Sequence, residues 1–157
     1  MNVSDIEKDI YSSFASIATT IGYSDIHGMI IGALTVSGKR LSLQELSEKT
    51  GYSISTLSLS LDLLELFGMV KKIKNAGDRK LYIELQGNLL EGLKKAFIMK
   101  IQKSTNDALC RFKGYEESLD NSKDANKEKV INVLKILEDE TQRLNKYIGL
   151  LSKIKLK

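Results

Sequence analysis

The sequence predicts a mostly α-helical fold carrying one small β-hairpin, and three observations support that reading. The 157 residues include no proline, the residue that breaks helix interiors by removing an N–H donor and clashing with the preceding turn. Apolar residues recur at spacings of three and four along most of the chain, the period of a buried helical stripe. Only MVKKIKNAGDRKLYIELQG, starting at Met69, breaks that period, with short alternating runs on either side of a turn.

The bulk numbers set the class. The chain is 42% hydrophobic and 28% charged, enough apolar material for a core. No apolar run approaches the ~20 residues that span a bilayer. The N-terminus, MNVSDIEKDI, places acids where a signal peptide places bases. A cytoplasmic protein with no membrane partner is expected. The single cysteine, Cys110, excludes an internal disulfide and is expected to be a small buried apolar residue. The net charge of +4 is unevenly spread: residues 1–87 hold 9 bases and 10 acids, and residues 88–157 hold 15 and 10. A nucleic-acid partner of the first part would need its positive charge concentrated locally.

Ile6, Ile10, Phe14, Ile17 and Ile21 are spaced 4, 4, 3 and 4 apart, one stripe of a first helix that Gly22 ends. Ser24 is the expected N-cap of a second helix, with Asp25 in its first turn. Its apolar face is Ile26, Met29, Ile30, Ala33 and Leu34, and Gly38 closes it. Leu41 is extended. Ser42-Leu43-Gln44-Glu45 matches a capping box opening a short third helix, with Leu43 and Leu46 inward and Gly51 at its end.

GYSISTLSLSLDLLELFG, from Gly51, is ambiguous. Leu57, Leu59 and Leu61 alternate with serines as in a strand. However, Ile54, Leu57, Leu61 and Leu64 form a helical stripe about fifteen residues long without a turn signal, which is long for a strand. One helix is predicted, capped by Ser53 and stopped by Gly68, with a small hydroxylated outer face and Leu59 off the stripe. The hairpin follows. Val70 and Ile73 lead in, Asn75-Ala76-Gly77-Asp78 supplies the turn, and Leu81, Ile83 and Leu85 alternate out. Lys71, Lys72, Lys74, Arg79 and Lys80 against Asp78 give it a local net charge of +4.

From Asn88 the pattern becomes helical again. Leu90, Leu93, Phe97, Ile101, Ala108, Phe112 and Tyr115 suggest one helix to about Ser118, and DNSKDAN a polar turn. Val130, Leu134, Leu137, Thr141, Leu144, Ile148 and Leu151 then recur at 4, 3, 4, 3, 4, 3, a heptad seam. That seam fits either packing within one chain or a dimer contact. The dimer is favoured, because so small a helical pair hardly buries both faces alone. Two domains are expected: residues 1–87 and the helical region 88–157.

Two helices joined by the turn Thr50-Gly51-Tyr52-Ser53 and followed by a two-stranded wing make a winged helix-turn-helix. Short polar groups near a helix N-terminus approach base edges and phosphates, and wing cations reach the flanking backbone or minor groove.

The stretch from Ser42 to Tyr82 resembles the MarR superfamily of winged-helix regulators, and within it the GbsR-type branch. LSLQELSEKTGYSISTLSLSLDLLELFGMVKK and GDRKLYIEL carry the resemblance. The Gly68-Met69-Val70 close is common to many winged helices; a wing running directly into a long helix is more specific. The resemblance implies a dimeric transcriptional regulator, terminal helices that form the dimer interface, and palindromic double-stranded DNA sites. Carried over by position, Ser53, Ser55, Thr56, Ser58 and Ser60 fall on the exposed side of the recognition helix. Arg79 falls at the wing arginine, oriented by Asp78. Ile54 departs from the pattern, standing where many relatives carry a basic or polar residue. The helix also has no Lys or Arg in its first three turns, so contacts through phosphates, thymine methyls (Leu59 or Thr56) and the wing are expected instead.

The expected DNA-binding set is therefore Ser42, Tyr52, Ser53, Ser55, Thr56, Ser58, Leu59, Ser60, Lys72, Lys74, Asn75, Gly77, Arg79 and Lys80. The expected role is sequence-specific repression by a homodimer. A small-molecule effector in a cleft beside the helical arm is compatible with this, but the sequence names none. The competing role is a winged-helix adaptor that binds proteins, favoured by Leu59 exposed among serines. With one His and one Cys no metal-ligand cluster arises. No phosphate loop, nucleophile elbow or paired acid is present, so neither a cofactor nor an enzymatic activity is expected. His27 reads as a surface or half-buried polar residue, and Asp5, Glu7 and Asp9 as a charged helix face.

Overall fold

The structure, a computed structural model, describes residues 2–120 and 123–155. The expected polar turn DNSKDAN includes Asn121 and Ser122, which lie outside the described residues. The elements run α1 (Val3–Thr20), α2 (Asp25–Ser37), β1 (Leu41–Ser42), α3 (Leu43–Thr50), α4 (Ile54–Leu66), β2 (Val70–Lys74), β3 (Leu81–Leu85), α5 (Leu89–Asp120) and α6 (Lys127–Lys153). This is a mostly α fold with a small antiparallel sheet: a winged helix-turn-helix followed by long C-terminal helices. No described helix is long and apolar enough to cross a membrane. The chain forms two compact units, one ending at Leu93 and the other beginning at Lys94.

In the first unit α2 is the central element. Ile26, Gly28, Ile30, Ile31, Gly32, Ala33 and Leu34 are all buried, so the helix is enclosed on more than the one face its sequence suggested. Two of its glycines explain how. A Cβ on Gly28 would lie 2.1 Å from the Phe14 carbonyl oxygen and 2.4 Å from the Ala15 nitrogen. One on Gly32 would lie 3.0 Å from the Tyr11 Cα. The backbones of α1 and α2 thus touch where glycine has no side chain. This contact also selects the inner face of α1, which is Tyr11 and Ala18 and not the expected stripe. Ile10 and Phe14 are half-buried, and Ile6 and Ile17 are exposed. A stripe at helical spacing shows that a helix exists, but only the backbone contact decides which way it turns.

Local signals hold at most ends. Asn2 and Asp5 form a reciprocal capping box at α1, and Ser42 and Glu45 form one at α3. Gly38 and Gly51 take the left-handed conformation after α2 and α3 (φ 61° and 76°), which side chains disfavour. Ser24 stands at the N-cap of α2 but makes no side-chain cap bond; its hydroxyl turns to donate to Asp25 Oδ1 at 3.0 Å. Leu46 is fully buried, whereas Leu43, expected beside it, is only half-buried. The sheet order is β1-β3-β2, with Leu41 opposite Ile83, and Lys72 also opposite Ile83 from the other side. The two-residue β1 makes the hairpin a three-stranded sheet, which no local signal announced.

In the second unit α5 and α6 run antiparallel, since Thr105 bonds Asn145 while Lys94 bonds the Ile154 carbonyl. Asn145 Nδ2 also donates to Asn106 Oδ1 at 3.1 Å. The heptad seam of α6 is divided. Leu134 and Ile148 are buried, and Thr141 and Leu151 half-buried, whereas Val130, Leu137 and Leu144 are exposed along with Val133, Ile136, Tyr147 and Leu150. In α5 the buried positions are Gly92, Ala96, Ile98 and Thr105, with Ile101, Ala108 and Phe112 half-buried; Leu90, Phe97 and Tyr115 of the expected stripe are exposed. Cys110 is also exposed, against expectation. It lies five residues past Thr105, which turns it about 140° away from the packed side at 3.6 residues per turn.

Candidate nucleic-acid interface

The α3–α4 turn is held by short polar side chains. Ser47 Oγ donates to the Tyr52 carbonyl at 2.7 Å, and Thr50 Oγ1 to the Leu46 carbonyl at 2.6 Å. Ser53 caps α4, accepting from the Thr56 N–H at 3.2 Å. Leu57, Leu61 and Leu64 form the expected inner stripe and are buried. The fourth buried member is Ser60, 7% exposed, in place of Ile54, which is 44% exposed. Ser60 Oγ is 3.2 Å from the Thr56 carbonyl, its acceptor. The reason is register. Positions 57, 60, 61 and 64 share one side of a helix, and Ile54 lies in the first turn, ahead of the packed region. Ser60 therefore does not belong to the exposed face on which the sequence placed it.

The outward face consists of Ile54, Ser55, Thr56, half-buried Ser58 and Leu59, the last 76% exposed, with Asp62, Glu65 and Leu66 further on. It contains no cation. Lys72, expected to contact DNA, reaches back from β2 to this helix, where its Nζ pairs with Asp62 and lies 3.3 Å from Glu65 Oε2. The Asp62 bond, and after it Glu65, raise the Lys72 pKa. Lys72 therefore offsets part of the negative charge of α4 and ties the wing to it.

At the wing tip, Asp78 accepts from the Lys80 N–H at 2.9 Å and from the Tyr82 hydroxyl at 3.0 Å. These bonds hold its carboxyl below the usual range, the Lys80 N–H having the larger effect. Asp78 shapes the turn, with Gly77 at φ 83°, and does not orient Arg79 as the resemblance implied. Arg79 is exposed, and no partner for its guanidinium is found among the described residues. Lys74 and Lys80 are also exposed, while Asn75 is half-buried and offers its carbonyl to the Asp78 N–H at 3.2 Å.

Two cations outside the expected set, Lys39 and Arg40, join this cluster. The Arg40 guanidinium lies 5.2 Å from the centroid of the Tyr82 ring, a cation–π distance. Lys39 and Lys80 both lower the pKa of Glu45, after the stronger effect of its Ser42 hydrogen bonds. The signal was present as the pair Lys39-Arg40 ahead of the capping box. An open groove of about 470 Å³ runs here between Ser42, Gln44 and Glu45 on one side and Lys80 and Tyr82 on the other. Ser42 is buried, and its hydroxyl is committed to Glu45 at 2.7 Å. It supports the groove and does not offer a free hydroxyl to a ligand.

Tyr52 is half-buried, and its hydroxyl donates to Asp25 Oδ2 at 2.7 Å. That bond, more than those from Ser24 and the Ile26 N–H, keeps the Asp25 carboxyl below its ordinary range. A lowered folded pKa stabilises the fold above about pH 4, and the contribution is lost as pH falls through the folded value. Tyr52→Phe is expected to return Asp25 toward the ordinary range, as read by carboxyl NMR titration. An unchanged Asp25 titration would show that Tyr52 is not the cause.

No model of a known protein family matches the chain, nor does any curated protein. Solved structures do. One described as a transcriptional regulator is 17% identical over 94% of this chain and 97% of its own, with a TM-score of 0.64. NadR in complex with 4-hydroxyphenylacetate is 20% identical over 88% of each chain, at 0.43. The ligand-free organohalide-sensing regulator RdhR is 16% identical over 99% of this chain and 87% of its own, at 0.42. At these identities the first likeness concerns the fold, and the other two add nothing to it.

Proposed function

We propose that this chain is a sequence-specific double-stranded DNA-binding regulator of transcription, of the MarR type with a GbsR-like wing, acting as a homodimeric repressor. The observation that carries the reading is the charge arrangement: unpaired Arg79, with Lys74, Lys80, Lys39 and Arg40, clusters on the wing and before α3 of a helix-turn-helix whose α4 presents Ser55, Thr56, Ser58 and Leu59. In this reading the wing cluster holds phosphates, which supply most of the affinity, and α4 approaches base edges. Mobility-shift assays against duplexes from upstream of the chain's own coding region test it. A retained duplex that outcompetes random sequence is expected; equal binding of all duplexes argues against a specific regulator.

The exposed α6 residues Val130, Leu137 and Leu144, flanked by Val133, Tyr147 and Leu150, support the dimer, because so long an apolar face is costly in water. A two-fold dimer reads a palindromic site. Leu137→Glu combined with Leu144→Glu is expected to weaken self-association by roughly 100-fold or more, since each carboxylate would be unpaired at the interface. Sedimentation equilibrium reads this; a wild-type dimer constant in the double variant would remove α6 from the interface. One observation favours the adaptor reading: α4 exposes Ile54, Leu59 and Leu66 beside Asp62 and Glu65. In that case no duplex would be retained.

A further inference from the structure

We infer that α4 selects A·T-rich half-sites by packing against thymine methyl groups, with guanine contacts playing no part; this rests on the DNA-binding reading above. Guanine offers two acceptors, N7 and O6, to the major groove and is read by paired donors. Between Ile54 and Leu66 there is no Arg, Lys, Asn, Gln or His. The hydroxyls supply few free donors and no paired ones. Ser58 Oγ donates its proton to the Ile54 carbonyl at 2.9 Å, and Thr56 Oγ1 shares a 2.8 Å hydrogen bond with Ser53 Oγ. Ser60 is buried. Ser55 keeps an uncommitted hydroxyl among the described residues of this helix, and the Ser53–Thr56 pair keeps one further proton, because only one of the two donates in their shared bond.

What the face does offer suits an A·T pair. Ser58 Oγ, its proton committed, keeps lone pairs that accept from an amino group, adenine N6 or cytosine N4, and the preference for A·T falls to the methyl contact. Leu59, 76% exposed, with Ile54 and the Thr56 methyl, gives apolar surface of the kind that meets the thymine C5-methyl. Leu59 has no packing role within the described residues to account for it. The cations needed for the phosphates stand outside the helix, at Arg79, Lys80, Lys74 and the Lys39-Arg40 pair. The division of labour is therefore spatial, with charge on the wing and methyl recognition on α4.

The test selects the preferred duplex from a random pool with the full-length chain, then replaces its thymines by uracil, which removes only the methyl. Wild type is expected to lose about fourfold in affinity per contacted methyl, the value of one buried carbon. Leu59→Ala, a surface substitution that leaves the fold intact by circular dichroism, is expected to bind the thymine duplex more weakly and to lose less of its affinity on the change to uracil. Equal wild-type affinity for thymine and uracil duplexes, or a selected site dominated by guanine contacts, overturns this inference while leaving DNA binding standing. Retention of no duplex at all overturns both, and assigns the Leu59 face to a protein partner.

Discussion

Gly28→Ala is expected to destabilise the fold by about 3 kcal/mol, the upper end of the usual cost of overpacking a core. For a chain of this size, that corresponds to a fall of roughly 6–12 °C in melting temperature. The added methyl would overlap the Phe14 carbonyl and the Ala15 nitrogen, and neither can rotate away as the end of a flexible side chain would. Relief requires α1 and α2 to separate along their length, which exposes Tyr11 and the buried face of α2. Gly114→Ala is the matched control. Gly114 lies in α5 with nothing within 4 Å of the added carbon, so helix propensity alone acts and should stabilise by up to about 1 kcal/mol. Thermal unfolding followed at 222 nm compares the two. If both variants melt like wild type, the close contact of α1 and α2 is wrong.

Removing the wing cations together, as Lys74→Ala, Arg79→Ala and Lys80→Ala, should abolish measurable DNA binding at physiological salt. At low salt, where binding persists, the slope of log affinity against log salt should fall by about 2.7, from roughly 0.9 per phosphate contact. Arg79→Ala alone should lower it by about one. All three side chains are exposed, so the fold should be unaffected. A filter-binding salt series measures the slope. An unchanged slope in the triple variant would remove the wing from the interface. Lys72→Ala is expected to behave differently, because Lys72 is already paired with Asp62 and Glu65. It releases negative charge on α4 and should weaken binding by exposing those carboxylates to phosphate.

Lys72 and Arg79 differ in a way that local spacing does not record. Both are bases in one hairpin, and their spacing gives no reason to separate them. Asp62 and Glu65 precede Lys72 by ten and seven residues, and only the packing of β2 against α4 brings them together. Ile54 and Ser60 show the same limit within a single helix. Hydrophobicity put Ile54 inside and Ser60 outside, but the face of α4 is set by where its neighbours stand, and Ser60 satisfies its buried hydroxyl on the Thr56 carbonyl. The divided seam of α6 adds a third case: the heptad spacing was correct as a pattern, yet it covers two directions, one toward α5 and one toward solvent.

The sequence by itself determined the order of elements, most of their ends and the location of the basic hairpin. Those features rest on interactions between residues three or four apart, such as the Ser42–Glu45 capping box, the Ser53 cap and the glycines that accept a left-handed turn, and a linear sequence displays them. Tertiary structure alone decided which faces are buried, that Leu41 and Ser42 add a third strand, that Gly28 admits the backbone of α1, and that Lys39 and Arg40 join the wing. Each of these depends on groups far apart in the chain being brought within a few ångströms, and their partners are chosen by the packing of whole elements, which no local spacing records.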